Sequence, residues 1–158
     1  MFNAALDKKL TAAKSNRSLG YSIEEAVSDL IDNSIAAKAK NISIYLNWNN
    51  SKPFFALTDD GIGMSIKNNE LINSFKLGSS NPLEERDPND LGRFGFGMKT
   101  ASLSQSKSFI VLTKTNEEDL VSRCLDLNYI TNLDDGWKLR HTNNEELFGF
   151  DNIISNYD

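Results

Sequence analysis

Three short stretches of this chain carry side chains whose types and spacing could do chemistry. The first is Asp29-x-x-x-Asn33 within the run DLIDN. A carboxylate and a carboxamide one helical turn apart can share a small site. The carboxamide oxygen is a hard neutral ligand suited to a Mg²⁺ ion that keeps most of its waters. The carboxylate can orient or deprotonate a water. The second is Asp59-x-Gly61-x-Gly63. There a carboxylate could accept from an exocyclic amine and so tell adenine from guanine, while the glycines let the backbone approach a flat ring. The third is Gly92-Arg93-Phe94-Gly95-Phe96-Gly97-Met98-Lys99. Glycines opening a helix expose N–H groups that favour anions, and Lys99 adds a point charge for phosphate.

Taken singly, each has a plainer explanation. A polar pair at i,i+4 is usually a solvated helix face, and Asp-Gly is a common turn. The third stretch fits neither familiar phosphate loop. Met98 separates Gly97 from Lys99, which breaks the P-loop pattern, and the glycine spacing is the reverse of the dinucleotide fingerprint.

The elements that must position these groups are legible from periodicity. Ser22 and Glu25 form a capping box. Ile23, Ala26, Val27, Leu30, Ile31 and Ile35 then recur at helical spacing, predicting a helix over 22–37. Glu25, Asp29 and Asn33 lie on one ladder of it. Alternation in NISIYLNW (41–48) predicts a strand with one wet face. FFALT (54–58) follows after a turn at 49–53 as its antiparallel partner and runs straight into Asp59. A short helix is expected at 66–76 and a long polar loop, LGSSNPLEERDPNDL, at 77–91. A loop of that length in a compact domain is usually functional or disordered. A helix at 98–106 and strands at 108–115 and 119–127 complete the readable part, with a further short strand at 137–141 and an earlier helix at 4–14. Hairpins with helices on one face define an α+β sandwich rather than a doubly wound sheet.

Composition agrees with one ordinary domain. The chain has 158 residues, 39% hydrophobic and 25% charged, enough to bury roughly 70% of the surface of the unfolded chain. The net charge of −5 argues against a nucleic-acid grip. Cys124, the single cysteine, excludes an internal disulfide and a cysteine zinc site, and its setting in LVSRCLDL predicts a buried small hydrophobe. The absence of a signal peptide and of a bilayer-length apolar run predicts a cytoplasmic protein without membrane contact.

Order and spacing together make the chain resemble the GHKL ATPase superfamily (gyrase, the large heat-shock chaperones, histidine kinases, MutL). The resemblance rests on DLIDNSIAA, TDDGIGM and GRFGFGMKTAS in that order, over about residues 20–115. The lysine after G-x-G-x makes it most similar to the MORC group and its bacterial relatives. What the resemblance implies is a Bergerat-type fold, with ATP and Mg²⁺ as cofactors and ATP hydrolysis as the activity. Asn33 would hold Mg²⁺ and Asp59, Gly61 and Gly63 the adenine. Gly92, Gly95, Gly97, Met98 and Lys99 would form the phosphate side, 77–92 the lid, and Asp29 the position of the general base. It further implies an ATP-dependent homodimer of a longer protein and is compatible with DNA as a partner through regions outside this chain. Residues 1–158 would be its single N-terminal ATP-binding domain, lacking the last strand or strands.

There are departures from the family pattern. Hydrolysing relatives carry Glu where Asp29 stands. Some carry Asp where Ala36 stands, and the later Thr-bearing strand that supports the adenine pocket has no match before Asp158. Two alternatives therefore stand beside a slow ATPase: a nucleotide-operated switch with negligible turnover, and a histidine-kinase-type ATP domain. Against the latter, the one histidine, His141, lies in LRHTNN rather than on a helix suited to phosphorylation.

Overall fold

A computed structural model describes residues 21–48, 53–75, 97–131, 139–142 and 153. The element order is α1 (Ile23–Ala36), β1 (Ile42–Asn47), β2 (Phe54–Asp59), α2 (Glu70–Ser74), α3 (Gly97–Gln105), β3 (Ser108–Thr115), β4 (Glu118–Asp126) and α4 (Leu127–Thr131). The expected helix at 4–14, the whole of the loop at 77–92 and residues 49–52 of the expected turn lie outside the described residues.

Helix α1 begins where its cap chemistry says it should. Ser22 Oγ accepts from Glu25 N at 3.2 Å, and Glu25 Oε2 accepts from Ser22 N at 2.8 Å, which closes the predicted capping box. Its far end is a Schellman turn. Lys38 N donates to Ile35 O and Ala39 N to Ser34 O, with Lys38 itself left-handed at φ 62°. The position after the cap usually goes to glycine, so the lysine sits there at a conformational cost. Lys38 therefore lies beyond the helix rather than in its last turn.

Both strand pairs are antiparallel hairpins. In the first, Ile42 faces Asp59 and Asn47 faces Phe54. The expected alternation in β1 is present, but its apolar members are the wet ones. Ile44, Leu46 and Trp48 are 45%, 65% and 72% exposed, while Ser43, Tyr45 and Asn47 are half-buried. In the second hairpin the pairing runs from Ser108↔Asp126 to Thr115↔Glu118, with a shift of register after Thr113.

The region expected as a helix over 66–76 is a turn at 66–69 followed by the five residues of α2. Its start, Asn69, is left-handed and provides no side-chain cap, so the helix does not extend upstream. Helix α4 replaces the end of the expected strand. Asp126 Oδ1 accepts from the N–H groups of Asn128 and Tyr129 at 2.9 and 3.3 Å, satisfying two of the free donors that a helix start leaves. Of the expected strand at 137–141, Arg140 forms an antiparallel bridge with Cys124.

The core gathers Leu71, Phe75, Leu103, Leu125, Leu127 and Ile130, with Met64, Phe109 and Val111 packed against it. Phe75 and Phe109 stack at a centroid distance of 5.4 Å. Cys124 is buried and unbridged, as expected. Mixed helices and antiparallel strands give the α+β class predicted from the sequence; among the described residues the strands form two separate two-stranded sheets. No helix among the described residues is long and apolar enough to cross a membrane.

Candidate nucleotide site

The turn that follows β2 is built by clamping the end of that strand from three directions. Asp59 Oδ2 accepts from Ser34 Oγ at 2.8 Å, and its Oδ1 from Gly61 N at 2.9 Å. Ser34 is buried in the last turns of α1, so the carboxylate is tied to the helix that carries Asp29 and Asn33. Each oxygen keeps a second lone pair for a further donor. Ile62 N donates to Ala37 O at 3.0 Å. A Cβ at Gly61 would fall 2.7 Å from that carbonyl oxygen, and one at Gly63 (φ +72°) only 2.0 Å from Lys114 O. Both positions require glycine through close backbone approach.

The neighbouring carboxylate does a different job. Asp60 is exposed and accepts from Asn41 N, Asn41 Nδ2 and Lys40 N at 2.9, 2.8 and 2.7 Å. These bonds, the Asn41 backbone donor first, hold its carboxyl down to about 2. Asp60 thus fastens the α1–β1 connection to the turn, leaving Asp59 as the inward carboxylate.

Downstream of Gly63 the chain is stapled to the second hairpin. Thr113 Oγ1 accepts from Met64 N at 2.7 Å. Glu118 accepts from Ser65 Oγ and from the backbone of Ile66 and Lys67, and the Ser65 bond leads the causes that lower its carboxyl from the ordinary value. Glu70 Oε2 takes Ser65 N at 2.8 Å.

The second cluster lies where α1 meets α3. Tyr21 donates its hydroxyl to Asp29 Oδ2. Burial first, and then the Asp29 bond and charge, push the phenol up to about 12. The Nδ2 atom of Asn33 is buried and has no hydrogen-bond partner among the described residues. Gly97, the first residue of α3, faces both groups. A Cβ built there would stand 3.7 Å from Asp29 Oδ2 and 3.9 Å from Asn33 Nδ2. The glycine therefore leaves a small recess between a carboxylate, a carboxamide and the N-terminus of a nine-residue helix.

Lys99, expected on the phosphate side, is buried against the end of α2. It is 1% exposed, its Nζ donates to Ser74 O at 2.7 Å, and desolvation pulls its ammonium down to about 8. Met98, beside it, is half-buried at the start of α3. Gly92 and Gly95 lie outside the described residues. His141 is exposed and near Arg123, with Nδ1 3.2 Å from its NH1, on the segment that bridges to β4 rather than on a helix.

The structure thus joins Asp29, Asn33 and Gly97 in one cluster, and Asp59, Gly61 and Gly63 in another, with Ser34 as the link. Tyr21, Ser34, Thr113 and Glu118 are positioning groups that sequence reasoning missed. Ser34 is marked only by its place beside Asn33 on the helix; nothing local in the sequence marks the other three.

Two side-chain clusters linked through one helix, in a fold of mixed helices and antiparallel strands, agree with a nucleotide-binding domain of the GHKL kind. The sequence profile of the histidine kinase-, DNA gyrase B- and HSP90-like ATPases matches residues 21–156, and the chain belongs to that family. Two relatives are similar to it over part of their length. The chain is 29% identical to ATPase morc-1 of Caenorhabditis elegans over 106 residues, 66% of this chain and 12% of that protein. It is 34% identical to ATPase MORC2B of Mus musculus over 94 residues, 56% of this chain and 9% of that protein. The chain thus spans about a tenth of the length of the curated relatives it matches.

Proposed function

We propose that this chain binds ATP with Mg²⁺, hydrolyses it slowly, and uses the occupied state to gate dimerisation of a larger protein in the cytoplasm, where ATP is supplied. The observation that carries this is the recess between Asp29, Asn33 and Gly97, with the buried Asn33 Nδ2 that has no partner among the described residues. A buried polar atom without a partner costs about 1–3 kcal/mol, and a ligand that reaches it relieves that cost.

Asp59 would accept the exocyclic amine of adenine while Ser34 and Gly61 N hold it in place. The N-terminus of α3, opened by Gly97 and Met98, would take the phosphates, with Gly92 and Gly95 upstream. Lys99 would add charge on leaving the Ser74 carbonyl. Asp29 would orient the attacking water and accept its proton. Residues 77–92 would close as the lid, a gating step of a common kind.

The donor set suits Mg²⁺. One carboxamide oxygen, joined by phosphate and water oxygens, is the kind of set such an ion takes. A half-turn of the Asn33 carboxamide presents its oxygen. Bound there, Mg²⁺ would supply neutralisation of phosphate charge.

Asp29, a methylene shorter than the glutamate of hydrolysing relatives, favours the switch as the second reading. A thermal-shift series with ATP, GTP and Mg²⁺, followed by turnover, tests both. Ligand at 100 times its dissociation constant adds about 2.7 kcal/mol of stability. Stabilisation by ATP with measurable turnover supports the ATPase. Stabilisation without turnover supports the switch, and no stabilisation contradicts both.

A further inference from the structure

The contact between Tyr21 and Asp29 has no counterpart in the local helix pattern. Tyr21 precedes the helix cap, eight residues before Asp29. The extended Ser22 (ψ 161°) sets the direction of the chain there, and the phenol reaches the Asp29 carboxylate on α1. The residue is tied to both helices of the recess. Its hydroxyl reaches Asp29 on α1, and its carbonyl accepts from Gln105 Nε2, at the end of α3, at 3.1 Å. The bond falls on Oδ2, and among the described residues Asp29 Oδ1 has no partner.

A short carboxylate has one rotatable bond fewer than glutamate with which to find a water. Misplacement of a reacting group by about 1 Å can cost about 10²-fold in rate. We propose that Tyr21 is a positioning residue for hydrolysis: its hydroxyl fixes Asp29 through Oδ2 and leaves Oδ1 to engage the attacking water. This rests on the assignment of Asp29 as the base. The high phenol value means that the donor proton stays on Tyr21 throughout the neutral range, so the tyrosine orients Asp29 without competing for the proton of the water.

The test compares ATP affinity and kcat for the full-length protein, Tyr21→Phe, Asp29→Asn and the double variant. Tyr21→Phe should bind ATP within about twofold of wild type and lose about tenfold or more of kcat, by loss of positioning alone. In the Asp29→Asn background it should change nothing further, the coupling that a double-mutant cycle isolates. Gln105→Leu, which releases the tyrosine carbonyl together with the Ser104 hydroxyl, should lower kcat severalfold at unchanged affinity and gives a second handle should Tyr21→Phe fold poorly. Wild-type kcat in Tyr21→Phe, or in Gln105→Leu where the first variant does not fold, overturns the proposal. So does a loss of affinity and melting temperature that is the same in both backgrounds. Wild-type turnover in Asp29→Asn would instead overturn the assignment of the base itself.

Discussion

Ser34 Oγ lies 2.8 Å from Asp59 Oδ2, across 25 residues of sequence. This bond joins the helix that carries Asp29 and Asn33 to the turn proposed for adenine, so the two halves of the site move as one. Ser34→Ala removes the donor and leaves a carboxylate short of one bond. The expected result is a loss of about 1–3 kcal/mol in stability and a fall of about tenfold in ATP affinity, read by urea unfolding and calorimetry.

Gly97→Ala separates affinity from folding. A methyl group there makes only ordinary contact, at 3.7 and 3.9 Å, and alanine suits a helix better than glycine by up to about 1 kcal/mol. The melting temperature should stay or rise. ATP affinity should fall about tenfold or more, because the methyl group fills the recess.

Gly63→Ala should fail as a fold rather than as a site. Its φ of +72° and the 2.0 Å approach to Lys114 O combine backbone strain with overpacking, about 2–5 kcal/mol together. Thermal unfolding of the nucleotide-free protein reads this directly.

The legible part of this fold is its local part. The capping box at Ser22 and Glu25 spans three residues, and the hairpins announce themselves by alternation. The groups that fix the site act over longer range. Glu118 holds the Ser65 hydroxyl and the Ile66 and Lys67 backbone from 51 to 53 residues away, and Thr113 holds Met64 from 49. No periodicity encodes such a pairing. The outward apolar side of β1 was hidden for a related reason: alternation shows that a strand has two faces, and only tertiary packing decides which is wet. The candidate motifs were read by residue type, which located Asp59 and Asn33 but not the burial of Lys99.

Lys99→Met tests what that burial does. The folded ammonium lies near 8, below its ordinary 10.5, because of desolvation. The cost of charging it in the fold, about 3 kcal/mol at most, is therefore fully present below pH 8 and is relieved as pH rises toward 10.5. Wild type should gain stability between those values relative to Lys99→Met, as urea unfolding at pH 7 and 9.5 would show. If the ammonium moves to phosphate on binding, the variant should also lose ATP affinity.

The central claim is that Asp59 reads adenine in a working nucleotide site, and calorimetric titration of ATP and GTP with Mg²⁺ into wild type and Asp59→Asn tests it most directly. Wild type should bind ATP at least about tenfold more tightly than GTP, and Asp59→Asn should lose that preference together with most of its ATP affinity. Equal ATP binding by the two proteins, or no ATP heat from the wild type, would contradict it.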